Sequence, residues 1–149
     1  MVRVTRTEVD LELARSMVGA ALAAAAGQGA LVSAAVVDAG GHLVAFERMD
    51  GAEIAGPVLA PDKAFTAVAH RIGTHELAPM VAPGGPLAGM SAAGGGRYVC
   101  FAGGLPLWSG GRVVGGVGVS GGSAEEDLAA ATAAAEVFAR HSDGEEGAR

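Results

Sequence analysis

The sequence predicts an α+β fold in which helices pack against an antiparallel β-sheet of about five strands. The predicted order of elements, α-β-β-α-α-β-β-β-α, lacks the strict alternation of strands and helices that a parallel sheet requires. Several strand-like runs are separated only by short glycine-bearing turns, which is typical of hairpins. The 149 residues fit a single domain. We expect its core to cover residues 8–140 and a frayed tail to cover residues 141–149.

The first part of the chain predicts a helix followed by a β-hairpin. A helix is expected over residues 8–26, because Thr7 and the acidic residues after it match a helix start. The valine-rich run 30–37 has the continuous apolar pattern of a strand that is covered on both faces. A glycine-bearing turn at residues 38–41 then leads into a second strand over residues 42–47.

The second part predicts two helices, three strands and a final helix. Pro61 suits the first position of a helix that reaches Ile72, and a restart at Gly73 gives a further helix to Val81. Three short β runs follow, at Tyr98–Phe101, Leu105–Trp108 and Val113–Val119. Residues 123–126 match a capping box, which opens the last helix.

The composition predicts a core of small side chains. Half of the residues are apolar, but only 4% are aromatic, and 25 are glycine. Glycines at 115, 116 and 118 fall inside a strand pattern, where they let another element approach the sheet closely. Because small side chains bury little area each, at roughly 25 cal/mol per Å², subunit contacts would have to add to the buried surface. We therefore expect a homo-oligomer.

Charge and motif content exclude several classes of function. The net charge of −6 and the lack of a basic patch argue against a nucleic-acid partner. The uncharged stretch 17–37 is interrupted at residues 27–29, so helix, turn and strand fit it better than a membrane span. No secretory-signal pattern stands at the amino terminus, so we expect a cytoplasmic protein. The four histidines lack zinc-site spacing, and we expect no built-in metal.

Lys63 and His70 are the candidate catalytic residues. A lysine near the start of a helix is disfavoured by the helix dipole, although Asp62 beside it offsets this effect. His70 returns to nearly the same helical face seven residues later, with Thr66 close to that face. Together they could hold an anionic or carbonyl-bearing ligand and move a proton near neutral pH. The alternative is that both are ordinary surface or interface residues.

Glycine-rich loops and one arginine are candidate binding elements. Gly84 and Gly85, and again Gly95 and Gly96, could present backbone N–H groups to an anion. Arg48 is a candidate electrostatic anchor for the same small ligand.

Six short blocks stand in order along the chain. They are Val36–Leu43, Arg48–Gly51, Lys63–Ala67, Ala82–Gly85, Gly103–Pro106 and Val117–Gly122, the last followed by Asp127. In this order they resemble the blocks of the GlcG/HbpS, or haem-degrading, domain, which is also similar to the C-terminal domain of PduO-type corrinoid proteins. The resemblance covers about residues 8–140 and implies a profilin-like α+β domain that assembles into tetramers or octamers. It also implies that some relatives bind haem.

Three hypotheses for function follow. The first is a cofactor-independent acid–base enzyme of isomerase, lyase or hydrolase type, acting on a small polar or carboxylate-bearing metabolite, with no cofactor required. The second is a haem or tetrapyrrole binder. Its possible axial ligands are His70, His42, Met49, Met80 and Met90. The third is a non-catalytic oligomeric accessory protein.

Overall fold

The computed structural model of the protein describes residues 1–146, with side chains described up to residue 144. The helices in this range are α1 (Leu11–Gly27), α2 (Gly56–His70), α3 (Thr74–Val81) and α4 (Ala124–Glu146). The strands are β1 (Ser33–Asp38), β2 (Leu43–Arg48), β3 (Gly104–Ser109) and β4 (Arg112–Ser120). A 3₁₀ segment, Met90–Gly96, precedes β3. The fold is α+β, as predicted.

The strands form one antiparallel sheet in the order β2-β1-β4-β3. Four strands of the described chain take part, one fewer than expected, because the predicted strand Tyr98–Phe101 is not formed. The backbone N–H of Val99 donates to the hydroxyl of Thr66 on α2 at 2.9 Å. Since this N–H is bonded to a helix side chain, it is not available for a strand ladder.

Two helices begin at other residues than the sequence predicted. The cap of α1 is Asp10 rather than Thr7, because the Asp10 carboxylate accepts a hydrogen bond from the Leu13 N–H at 2.8 Å. Helix α2 starts before Pro61, and another proline, Pro57, occupies its first turn. Pro57 suits that position because the first N–H groups of a helix need no partner within it.

Helix α4 is longer than expected and continues to Glu146. The tail predicted to fray from residue 141 is therefore helical over 141–146, and residues 147–149 lie outside the described residues. His141 and Ser142 line a small pocket together with Leu13 at the start of α1. About one turn earlier, Phe138 is buried in the apolar cluster that α4 shares with α1, which favours a continued helix.

Helices cover both faces of the sheet. Residues of α1 and α4 share one apolar cluster with alternate residues of the central strands, among them Val36, Val117 and Val119. Helix α2 lies on the opposite face. There a Cβ added to Gly116 would lie 2.7 Å from the Ala64 carbonyl oxygen. A Cβ added to Gly118 would lie 2.7 Å from the Ala64 backbone nitrogen. The expectation that these glycines allow a close approach is confirmed, and the approaching element is α2.

Candidate functional site

Lys63 is fully buried between α2 and the sheet. Its Nζ donates hydrogen bonds to the Val119 carbonyl at 2.8 Å and to Asp127 Oδ2 at 2.9 Å. The ring of Phe101 lies 4.9 Å from the same nitrogen. Burial lowers the pKa of Lys63, and its hydrogen bond and ion pair with Asp127 oppose this shift only in part. Lys63 thus joins α2 to β4 and α4.

Thr66 and His70, on the same helix, have different neighbours. The Thr66 hydroxyl donates to a backbone carbonyl one turn earlier and accepts from the Val99 N–H. The His70 ring lies edge-on to Tyr98 with centroids 4.9 Å apart. Its Nε2 is buried and has no hydrogen-bond partner among the described residues. Since Lys63 is bound inside the fold, the structure does not bring it into one open pocket with His70, and their catalytic roles stay predictions.

The turn between β1 and β2 holds a carboxylate and an imidazole in contact. Asp38 Oδ1 accepts hydrogen bonds from the backbone N–H groups of Gly40 and His42 at 2.8 and 3.0 Å. It also lies 3.2 Å from His42 Nδ1. Burial alone raises the pKa of Asp38, but these hydrogen bonds and the charge of His42 hold that pKa below its ordinary value of 3.8.

The second nitrogen of His42 is free for a ligand. The side chain is 82% exposed, and its ring forms no other hydrogen bond with a residue that the structure describes. The contact with Asp38 favours the tautomer with hydrogen on Nδ1, which leaves a lone pair on Nε2. A histidine held by a carboxylate at one nitrogen is the usual arrangement for binding a metal through the other.

A cleft of about 590 Å³ lies beside this pair. It is formed by residues 4–7, the β1–β2 turn, the second half of α2 and the β3–β4 hairpin. Its larger apolar side chains are Phe65, Val68, Trp108, Val113 and Val114, and its charged side chains are Arg6, Arg71 and Arg112. Gly40 lines the cleft, and a Cβ on Gly40 would lie 2.8 Å from His42 Nδ1. Ala39 and Gly40 of the β1–β2 turn line the cleft, whereas Asp38 and His42, on either side of them in the sequence, do not.

The other predicted binding residues lie elsewhere. Arg48 is exposed at the end of the edge strand β2. Gly84 and Gly85 follow α3, and Gly95 and Gly96 belong to the 3₁₀ segment with φ values of 70° and 82°. Among the described residues that line the cleft, none of these five occurs. Their binding roles stay predictions.

The methionines considered as axial ligands do not line the cleft either. Met49 Sδ accepts a hydrogen bond from the Val32 N–H at 3.4 Å and packs against the core. Met80 and Met90 are half-buried on α3 and the 3₁₀ segment. Of the described residues in the lining, none is a Met or a His. His42 is also absent from the lining, but it lies two residues after Gly40, which belongs to it.

Sequence reasoning missed the residues that build this cleft. Arg6, Arg71 and Arg112 come from three distant segments, so no local pattern connects them. The pairing of Asp38 with His42 did leave a signal, because an acid four residues before a histidine across a glycine turn brings the two side chains together.

Membrane-spanning helices and metal-binding clusters are both absent from the described residues. Within residues 1–146 no helix is long and apolar enough to cross a membrane. The same part of the chain contains no group of three or more His, Cys, Asp or Glu side chains that could hold a metal ion. Cys100 is a buried free thiol.

Comparison with known proteins gives consistent matches along the chain. The family model described as haem degrading protein HbpS-like matches residues 9–136. An uncharacterized 15.0 kDa protein from the dhaT-dhaS intergenic region of Citrobacter freundii is 39% identical over 130 residues, 87% of this chain and 92% of that protein. The corrinoid adenosyltransferase PduO of Salmonella typhimurium is 44% identical over 97 residues. These are 65% of this chain but only 29% of PduO, so the chain spans less than a third of that relative.

A solved relative is a haem complex. The crystal structure of a PduOC:heme complex has a TM-score of 0.84 and 37% identity, and the match covers 88% of this chain and 95% of that one. Together with the family description, this structure overturns the expectation that no cofactor is required. No residue of the sequence excludes haem, since single histidines and methionines that could ligate iron are scattered along it. The chain belongs to the HbpS-like family of haem degrading proteins.

Proposed function

We propose that this protein binds haem in the cleft of residues 4–7, α2 and the β3–β4 hairpin, with His42 as an axial ligand of the iron. The family match and the haem complex of a relative support this function over cofactor-independent acid–base catalysis. The observation that carries the proposal is the pairing of His42 with Asp38 in the β1–β2 turn, whose Ala39 and Gly40 line the cleft.

The state of His42 supports metal binding. An imidazole binds iron through an unprotonated nitrogen, and the Nδ1 contact at 3.2 Å from Asp38 leaves Nε2 as that nitrogen. The carboxylate also fixes the ring plane and raises the basicity of the ligating nitrogen. His70 has a buried, unpartnered Nε2, but it faces Tyr98 rather than the cleft lining.

The cleft combines polar residues with some apolar surface that a porphyrin could cover. Its volume of about 590 Å³ falls within the range of ordinary ligand sites. The ring of Phe65 is already covered by the Arg97 guanidinium at 3.5 Å, whereas Trp108, the single tryptophan of the chain, lines the cleft and is 47% exposed. Covering such a side chain with a planar apolar ligand removes it from water. Bound haem would supply an iron centre capable of electron transfer or small-ligand binding.

A haem titration followed by absorbance tests the proposal. Wild-type protein is expected to give a stoichiometric shift of the Soret band. The same shift is expected in His70→Ala but not in His42→Ala, and these two variants are matched because each removes one imidazole. Asp38→Asn keeps an oxygen acceptor for the Gly40 and His42 N–H groups but loses the charge, so its haem affinity should fall by about tenfold to a hundredfold.

Rescue by free imidazole separates ligation from folding. In His42→Gly, added imidazole is expected to restore the Soret shift, because it can occupy the space of the lost ring. No shift in the wild type would refute haem binding. A shift that is lost in His70→Ala and kept in His42→Ala would refute ligation by His42 and move it to His70.

A further inference from the structure

Three arginines converge on the cleft, although the chain as a whole is acidic. The net charge is −6, from 16 Asp and Glu residues against 10 Lys and Arg residues. Three of the ten cations, Arg6, Arg71 and Arg112, nevertheless line this one cleft, and no Asp or Glu is found among the described residues of its lining. Such a concentration of one sign of charge in a concave site attracts an anion.

These arginines are not used by the fold. The chain's other cations near α2 each have a carboxylate partner: Lys63 is bound to Asp127, and Arg97 pairs with Asp62 at 3.1 Å. Within the residues that the structure describes, no salt bridge involves Arg6, Arg71 or Arg112. Their guanidinium groups therefore remain available to a ligand.

The backbone at Arg71 supports a role in binding. Arg71 caps α2 with φ 56° and ψ 37°, and its N–H donates to the Ala67 carbonyl. It is the one non-glycine residue with positive φ in the part of the chain that the structure describes. A glycine would fit this left-handed position without strain, whereas a long charged side chain is found there. Arg71 thus occupies a backbone conformation that favours glycine, and it lines the cleft.

We propose that this cleft selects its ligand by carboxylate groups, which Arg6, Arg71 and Arg112 bind, so that it takes carboxylate-bearing tetrapyrroles and discriminates against their esters. This inference rests on the proposed haem function and adds the chemistry of recognition to it. Guanidinium groups match carboxylates in charge and planar geometry and can bind them through two parallel hydrogen bonds. Val68, Trp108 and Val113 of the same lining would cover the ring body, and the arginines bind its acidic arms.

The test compares acids with their methyl esters. Haem and protoporphyrin IX, each as the free acid and as the dimethyl ester in the same co-solvent, are titrated by Soret absorbance or by quenching of Trp108 fluorescence. Wild-type protein is expected to bind each acid about tenfold to a hundredfold more tightly than its ester, because charge-assisted hydrogen bonds are lost in the ester. Arg71→Gln/Arg112→Gln should bind acid and ester with nearly equal affinity.

The matched control is Arg15→Gln/Arg140→Gln. It lowers the net charge by the same two units at exposed positions on α1 and α4, outside the described cleft lining. This control should keep the preference for the acid. Equal binding of acid and ester by the wild type would overturn the inference. So would an unchanged preference in Arg71→Gln/Arg112→Gln, or an equal loss of preference in the control.

The iron-free porphyrin separates this inference from the proposed function. Carboxylate recognition predicts that His42→Ala still prefers protoporphyrin IX over its ester, because no iron ligand is involved. If His42→Ala also keeps the wild-type Soret shift with haem, His42 ligation fails while the arginine site stands. If the wild type shows the Soret shift but no preference for acids, the arginine site fails while haem binding stands.

Discussion

Lys63 connects three elements through one buried ammonium group. It belongs to α2, donates to the Val119 carbonyl of β4, and pairs with Asp127 at the start of α4. The other Asp127 oxygen accepts from the Gly122 N–H at 2.8 Å, so the carboxylate also orders the turn before α4. Removing a single partner of a buried ion pair leaves an uncompensated charge, which costs more than the pair itself contributes.

Lys63→Met is therefore expected to lower the free energy of unfolding by about 3–5 kcal/mol, since it leaves the Asp127 carboxylate buried and unpaired. Lys63→Met/Asp127→Asn should recover much of this loss, because Asn removes the charge and still offers an acceptor to Gly122. Urea denaturation followed by circular dichroism measures the free energy of unfolding of both variants. Arg15→Met, an exposed cation in α1, is the control and should change stability by less than about 0.5 kcal/mol. A similar small effect for Lys63→Met would contradict the structural role.

The lowered pKa of Lys63 makes the free energy of unfolding depend on pH, with a sign that can be derived. The pKa of Lys63 in the folded protein lies below its ordinary value of 10.5, mainly because of burial. Between these two values the unfolded chain binds more protons than the folded chain, so stability rises with pH across that window. Below the pKa of Lys63 in the folded protein, and above 10.5, the contribution of Lys63 to the free energy of unfolding does not change with pH. The difference in unfolding free energy between wild type and Lys63→Met/Asp127→Asn, measured at several alkaline pH values, should grow in favour of the wild type. A flat or falling difference would contradict the lowered pKa.

Single residues show what the sequence could and could not reveal. The sequence placed Lys63 near the start of a helix, but α2 begins at Gly56 and Lys63 lies in its middle. Its partner Asp127 is 64 residues away, and no spacing rule connects them. Asp38 and His42 are four residues apart, and the turn between them is readable from its glycines. The arginines of the cleft meet only after β4 and α2 have packed, so they required the structure.

At the scale of elements, the contact between α2 and β4 depends on residues with almost no side chain. Ala60, Ala64 and Ala67 are completely buried on α2 and face a strand that carries glycine at positions 116 and 118. A Cβ on Gly118 would lie 2.7 Å from the backbone N of Ala64, a distance that real Cβ atoms do not show. Backbone therefore packs on backbone, and this brings Lys63 within reach of Val119.

Gly118→Ala is expected to destabilise the protein by about 1–3 kcal/mol or more, because the added methyl group must push α2 away from the sheet. Gly19→Ala is the matched control. Gly19 is exposed within α1, and a Cβ there would meet no atom within 4 Å. Its replacement should stabilise the protein by about 0.5–1 kcal/mol through helix propensity. Thermal unfolding should therefore give a lower melting temperature for Gly118→Ala and a higher one for Gly19→Ala than for the wild type. A Gly118→Ala variant as stable as the wild type would show that α2 does not lie this close to β4.

Elements were predictable where a local pattern determined them. The glycines of β4 indicated a close approach before the approaching helix was known, and the Ser123 cap is present, with its hydroxyl accepting from the Glu126 N–H at 3.2 Å. The predicted strand Tyr98–Phe101 was wrong because the Val99 N–H bonds to the Thr66 hydroxyl on α2 instead of to a neighbouring strand. That competition between a ladder and a side chain is a tertiary contact, which periodicity does not report.

At the scale of the molecule, the surface is large for the mass. The chain exposes 7959 Å², whereas a monomer of 14.5 kDa is expected to expose roughly 6,900 Å². Part of this surface is apolar. Large apolar side chains that are exposed within the folded core region are Leu11, Leu31, Leu43, Ile54, Val58, Leu87, Phe101 and Trp108. A core of alanine and glycine buries less area per residue, so further burial between subunits would add to stability.

The whole chain is therefore expected to assemble into a homo-oligomer, and the tetramer or octamer implied by the family resemblance stays a prediction. A standard interface takes about 800 Å² from each partner, roughly a tenth of the exposed surface of this chain. Sedimentation velocity over a hundredfold dilution should give a mass that is a whole multiple of 14.5 kDa. Repeating the measurement with bound haem separates assembly by the chain itself from assembly induced by the ligand. A monomer at every concentration, with and without haem, would mean that the small-residue core is sufficient and that the exposed apolar side chains remain in water.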